Sequence, residues 1–233
     1  MQERQGSRNV DHQVFREFPR MLISGANLVW CGKTGVTMAT NVTDSGPATA
    51  INGGRREEIL RLARGMFMRQ QRLDVGDIAS RLGVSRITVY RHMGNREQLV
   101  SEVLWSLSRA TLERARRDSA ETGEVEFLPI YRRYNSYLGT SPAFLHFLRE
   151  ESAFALKLLT RPDGTVRVRL MVALQQLLDE DIELRGHRFH LDTATLAYVI
   201  VCIGESYLYP LIAMHDDPDL DRATEVVRLL LRP

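Results

Sequence analysis

Cysteine is scarce: Cys31 and Cys202 are the only two in 233 residues, and neither has a partner at Cys-x-x-Cys spacing or a histidine cluster beside it. That usage excludes a disulfide framework and a structural zinc site, and it fits a reducing compartment. The six histidines are scattered at 12, 92, 146, 187, 190 and 215. His187 and His190 would share a helix face only if a helix ran on through Gly186, so no metal is expected. A Gly-x-Ser-x-Gly nucleophile elbow is absent. Glu150 and Glu151 are neighbours, about 100° apart on a helix, and do not face each other as acid–base hydrolysis requires. Gly32-Lys33-Thr34 resembles the end of a phosphate-binding loop, yet Asn27 stands where that loop needs a glycine to wrap its amides around phosphate. Neither an enzyme nor a bound cofactor is therefore expected. Long apolar runs are missing too: Met21 to Trp30 and Ala194 to Ile203 are too short to span a bilayer, and no signal-peptide pattern precedes the first. The expectation is a cytoplasmic chain without membrane contact.

What is present is a core-sized chain, 44% hydrophobic, with an uneven charge. The net charge is +1 over 1–54, +7 over 55–117 and −6 over 118–233. A compact arginine-rich segment on an acidic body suggests that one end meets a polyanion and the other does not. The first fifty-odd residues are rich in Gly, Thr, Ala and Asn, hold no sustained helical period, and close on Gly53-Gly54. Residues 1–53 are accordingly expected to form a flexible or weakly ordered extension.

From Arg55 the period turns helical. Ile59, Leu62, Ala63, Met66 and Phe67 share one face of a helix near 54–69, with the arginines largely opposite. Val75, Ile78, Ala79 and Leu82 repeat the pattern over a shorter helix, and Gly83 supplies the backbone freedom for a sharp turn. Ser85 is a good cap for a third helix, whose buried side is Val89 and Met93. The stretch "DIASRLGVSRITVYRHMGNREQL", 77–99, is thus a helix-turn-helix. On the outer face of its second helix stand Arg86, Ile87, Tyr90 and Arg91. In such a motif this part enters the major groove, where Arg pairs with guanine, Ile meets a thymine methyl, and Tyr, Thr and His reach phosphates. Asn95 to Gln98 reads as a capping box opening a fourth helix, near 95–117, whose positive N-terminus beside Arg96 suits a phosphate.

"IASRLGVSRITVYRHMGNREQLV" resembles the signature of the TetR family of transcriptional regulators, over about 55–105. The resemblance implies an all-α fold in which an N-terminal three-helix DNA-binding domain, 54–100, is joined by the fourth helix to a C-terminal ligand-binding and dimerisation domain, 101–233. Carried over by position, Arg86, Ile87, Tyr90 and Arg91 are the base-reading residues, and Thr88, His92 and Arg96 contact the backbone. Arg96 and Met93 replace the family's usual Lys and Phe while keeping charge and packing. The resemblance further implies a homodimer through the last two helices, a palindromic double-stranded operator, and a repressor released by a small molecule. An activator or architectural DNA-binding protein of the same fold is the alternative.

The remaining sequence is helical, near 126–139, 141–158, 164–184, 192–210 and 219–232, with Pro210 expected to end or kink the penultimate helix. Tyr131, Tyr134, Phe147, Arg149, Glu150 and Phe154, with Glu205 and Tyr209, supply aromatic walls and a few polar groups for a small, mostly apolar ligand. Glu205 interrupts an apolar helix and needs a partner, for which Arg149 is a candidate. Residues 147–171 and 203–212 are similar to the QsdR-like subgroup of the family, which implies a lactone or acyl-lactone effector.

Overall fold

A computed structural model of the chain describes residues 22–24, 27–29, 47–214 and 217–232. Leu22–Ser24 (β1) and Asn27–Val29 (β2) pair antiparallel as a short hairpin, in a unit separate from the helices and divided from them after Ser45. Apart from the hairpin and residues 47–53, the extension expected over 1–53 lies outside the described residues. From Gly46 onward the described residues are helical: α1 (Pro47–Met68), α2 (Val75–Arg81), α3 (Arg86–Met93), α4 (Arg96–Glu121), α5 (Phe127–Gly139), α6 (Pro142–Glu150), α7 (Ser152–Thr160), α8 (Thr165–Arg185), α9 (Thr193–Met214) and α10 (Leu220–Leu230). The all-α class is as expected; several boundaries are not.

Helix α1 begins at Pro47, so Gly53-Gly54 lies inside it and is no break. Two glycines weaken a helix by about 1 kcal/mol each relative to alanine, a cost the amphipathic turns that follow can carry. The helix expected over 141–158 is two: Glu151 leaves helical geometry at φ −121°, ψ 39°, ending α6 and opening α7. Helix α9 passes through Pro210 to Met214. A proline costs one backbone hydrogen bond, and flanking turns that pack well keep such a helix going. At 22 residues it is also longer than its apolar centre suggested, and Thr193–Ile212 is long and apolar enough to cross a membrane by length and composition. It is instead packed along α8, α7, α10 and α6, with a paired carboxylate near its middle.

Two apolar clusters organise the helices. The first joins α1, α2, α3 and the start of α4: Ile59, Ala63, Met66, Ile78, Val89 and Leu99 are fully buried, and Phe147, Leu148, Ala155 and Leu158 of α6–α7 extend the same cluster. The second collects Leu112 and Ala115 of α4, Phe127, Ile130, Tyr131 and Tyr134 of α5, and the inner faces of α8, α9 and α10. Helix α4 runs through both without interruption. Helices α8 and α9 also contribute to both, with Val166 and Leu211 in the first cluster and Leu174 and Ile200 in the second.

The turns rest on local chemistry. Gly83 (φ +64°) turns the chain after α2, and the Ser85 side chain accepts the Thr88 amide at 3.1 Å to cap α3. Asn95 and Gln98 form the reciprocal capping box of α4, with both bonds at 2.9 Å. Gly94, at φ +70° and ψ −148°, adopts a backbone geometry that is essentially glycine's alone. A methyl there would stand 1.8 Å from Gln98 Oε1. Gly94→Ala is expected to lower unfolding stability by about 2–3 kcal/mol through strain and loss of the cap, read as a shifted urea midpoint at unchanged slope.

Candidate nucleic-acid interface and ligand cavity

The turn chemistry of α2 and α3 sets which side chains face out. Asp74 accepts the Gly76 and Asp77 amides at 2.7 and 3.1 Å, capping α2. The Asp77 amide foremost, and then that of Gly76 with the charges of Arg86 and Arg96, holds the Asp74 carboxyl below the usual carboxylate range against some desolvation. Gly76 leaves room for the Arg86 guanidinium: a methyl there would stand 2.8 Å from Nη2. With Val89 and Met93 buried, Arg86, Ile87, Tyr90 and Arg91 all lie on the exposed face of α3. Ile87 is 77% exposed and Tyr90 50%. Large apolar surface on a helix that also carries arginines is what a groove-reading face requires, because base edges offer methyls as well as acceptors. His92 is half-buried, and Thr88 shares its hydroxyl with Ser85 Oγ at 2.9 Å, within the cap.

Arg96 is engaged within the protein. Its Nε donates to the Leu73 carbonyl at 2.7 Å, its Nη2 to both Glu151 carboxylate oxygens at 2.8 and 2.6 Å, and its guanidinium lies over the Phe154 ring at 4.4 Å. The fork expected at a phosphate is committed inside the protein here. Neighbouring Glu97 accepts Lys157 Nζ at 2.6 Å and Arg161 Nη1 at 3.0 Å, so the start of α4 is tied to α7 by two adjacent ion-pair groups. The Lys157 bond is the chief reason the Glu97 carboxyl sits below its ordinary range.

Between α4, α5, α8 and α9 lies a cavity of about 500 Å³, which Phe67 of α1, Phe144 of α6 and Leu159 of α7 also line. That size suits a small organic ligand. Leu104, Leu107, Leu170, Leu174, Ile200 and Val201 make its wall apolar, and a few polar groups break it. Tyr134 Oη lies 2.7 Å from Ser108 Oγ, and burial pushes its hydroxyl up to about 12, so it stays protonated and able to donate. Burial likewise raises Tyr131, with the neighbouring Asn135 side chain pulling against it. Asn135 in turn donates to Thr224 of α10 at 3.0 Å.

Glu205 does have a partner, but it is Arg167 of α8. Arg167 Nη1 donates to Glu205 Oε2, and Nη2 points to Cys202 Sγ at 3.2 Å. The two side chains are 8% and 17% exposed, and both line the cavity. Burial pushes the Glu205 carboxyl up, and the Arg167 charge and hydrogen bond pull against it. Arg149, the expected partner, bonds Asp217 at 2.7 Å on the surface.

Of the expected ligand residues, Tyr131, Tyr134 and Glu205 line the cavity. Phe147, Glu150 and Phe154 instead line a second cleft of about 590 Å³ with Arg72, His146 and Glu151, where α6–α7 meets the segment after α1. Arg149 and Tyr209 line neither. Arg167, Ser108 and Asn135 are cavity residues the sequence reading missed. Arg167 falls three residues before Leu170 and seven before Leu174, on the apolar stripe of α8, and a charge in that place was the available signal.

The fold, a helix-turn-helix end followed by a larger helical bundle, is that of TetR-family regulators of known structure. It is shared by the R. erythropolis transcriptional repressor QsdR, at 24% identity and TM-score 0.66, over 78% of this chain and 95% of that one. A TetR-family regulator from Pectobacterium atrosepticum shares it at 21% identity and TM-score 0.56, over 78% and 95%. Residues 122–232 match the family model described as the tetracyclin repressor-like C-terminal domain. The family model is matched by the C-terminal half alone, and the likeness to the two solved structures is one of fold. No curated protein sequence matches the chain significantly.

Proposed function

We propose that the chain is a dimeric DNA-binding repressor, released from a palindromic operator when a small apolar ligand enters the 500 Å³ cavity. The observation that carries this reading is the pairing of two features: an exposed Arg/Ile/Tyr face on α3, and an apolar cavity walled by the helix, α4, that leads to it. Residues 54–100 form the DNA-binding domain and 101–233 the ligand and dimer domain. Arg86, Ile87, Tyr90 and Arg91 read bases, with Thr88 and His92 near the backbone.

Tyr198 and Tyr209 of α9 and Val226 and Leu229 of α10 are exposed apolar side chains on the two terminal helices, and a second copy of these helices would bury them. A two-fold dimer places two α3 helices about 34–36 Å apart, which calls for an operator with matching half-sites. The ligand is a lactone or acyl-lactone, whose ring carbonyl accepts from Arg167 or Tyr134 while its chain fills the apolar wall. A repressor of this kind works in the cytoplasm.

Calorimetric titration with a panel of lactones and their ring-opened acids tests the ligand class. One lactone is expected to bind while its acid does not, because the acid would bring a second carboxylate up to Glu205. Binding of the acid alone, or of no lactone, overturns it.

A further inference from the structure

Arg96 is held from three sides, and all three belong to the junction between the helix-turn-helix and α6–α7. The Leu73 carbonyl comes from the segment leading into α2, Glu151 from the break between α6 and α7, and Phe154 from the first turn of α7. Arg72 Nε stands 3.9 Å from the same Glu151 carboxylate. The Arg96 side chain keeps 25% exposure, so it is partly open to an incoming anion. It is also close enough to the recognition helix that its charge and that of Arg86 both reach Asp74.

The α6–α7 pair touches the ligand cavity as well. Pro142 and Phe144 of α6 and Leu159 of α7 line it, and Glu151 is the joint between those two helices. A joint outside helical geometry is where the angle between α6 and α7 can change with least disturbance to either helix. Glu151 thus connects cavity-lining residues to the N-terminus of α4.

We propose that Glu151 and a DNA phosphate compete for Arg96, so that the Arg96–Glu151 pair is an internal brake on DNA binding whose hold is set by the packing of α6–α7 around the cavity. The proposal rests on the DNA-binding reading above. In the conformation described, Glu151 occupies the guanidinium; on an operator the fork turns to a phosphate, and Glu151 is left to Arg72. A ligand that favours the Glu151-bound arrangement lowers operator affinity by its preference for that state.

The test uses a duplex selected from a random-sequence library by the wild-type chain, with affinity measured by anisotropy across a salt series. Glu151→Gln is expected to bind at least about fivefold tighter, a typical lower bound for such coupling. Its log-affinity slope against log salt should steepen by about one, for one further phosphate contact. Glu150→Gln makes the same charge change one residue away, on an exposed side chain; it should change affinity by less than about twofold. In an Arg96→Ala background the gain from Glu151→Gln should vanish. Arg96→Lys, which keeps the charge without the fork, should bind at least as tightly as wild type and covers the case in which the Glu151 variant fails to fold. Equal effects of the two glutamine variants, a gain that survives Arg96→Ala, or weaker binding by Arg96→Lys would each overturn the competition while leaving DNA binding intact. A library that yields no enriched duplex overturns both readings.

Discussion

Replacing Arg86 and Tyr90 together by alanine is expected to weaken binding to a selected duplex by about 2–6 kcal/mol, since each base-edge contact contributes about 1–3 kcal/mol of discrimination. That corresponds to a loss of roughly thirtyfold or more. Both side chains lie on the exposed face of α3, so folding stability should change by less than about 0.5 kcal/mol for each. The separation of the two quantities is the informative part. A loss of binding with an unchanged melting curve places the function on the outer face of α3; a loss with a lowered melting point would trace it to packing instead. Arg109→Ala, on the exposed side of α4, is the control: it removes the same positive charge away from α3 and should cost little beyond a general electrostatic term.

The second large effect is on stability. Arg167→Ala leaves Glu205 in the cavity wall without its counter-charge, and breaking a buried pair from one side typically costs about 3–5 kcal/mol. Replacing both, Arg167→Met with Glu205→Leu, should restore most of that loss, because the pair's own net contribution is small once both desolvation penalties are gone. The sign of the pH dependence follows from the shift of Glu205. Burial already raises its carboxyl in the folded state, and removing Arg167 takes away the group that pulls it down. A folded-state value above the unfolded one contributes stability that is full below the unfolded value, 4.5, and is lost as pH rises through the folded value. The deficit of Arg167→Ala against wild type should therefore be larger at pH 8 than at pH 5, as urea denaturation at the two values would show. A deficit independent of pH would mean that the arginine serves by its volume alone.

These two sites differ in how visible they are in the sequence. Ser85 capping Thr88, the Asn95–Gln98 box and the left-handed Gly83 are each settled within four residues, by hydrogen bonds whose donor and acceptor are fixed by local spacing. The exposed face of α3 follows from them and from the burial of Val89 and Met93. The cavity, by contrast, depends on which helices meet. Arg167 and Glu205 are 38 residues apart, and nothing local ties them. The aromatic richness of 144–154 drew attention to Phe147 and Phe154, yet Phe147 packs at a tilt against Phe67 of α1, at 5.6 Å between centroids, and Phe154 lies beneath Arg96. Of the three phenylalanines there, Phe144 alone lines the cavity, and Phe147 and Phe154 belong to the junction with α1 and α4.

Arg96 shows the same limit from the other side. Its position at the start of α4 was legible, but its partner, Glu151, is 55 residues away at a break that the helical pattern of 141–158 concealed. Glutamate and serine fit a helix well enough that no local signal marks the interruption. Only the packing of α6–α7 against the first cluster, where Leu148 and Ala155 are fully buried on either side of Glu151, requires the chain to bend there.

The most direct test of a ligand-released repressor is an anisotropy titration of the wild-type chain onto the selected duplex at two salt concentrations, with and without the lactone found by calorimetry. The expected result is tight binding with two protomers per duplex, weaker at high salt, and lowered by the lactone about 5- to 150-fold, with lactone affinity reduced by the same factor when DNA is bound. Binding that is indifferent to every cavity ligand, or a lactone that binds equally well to free and DNA-bound protein, would contradict it.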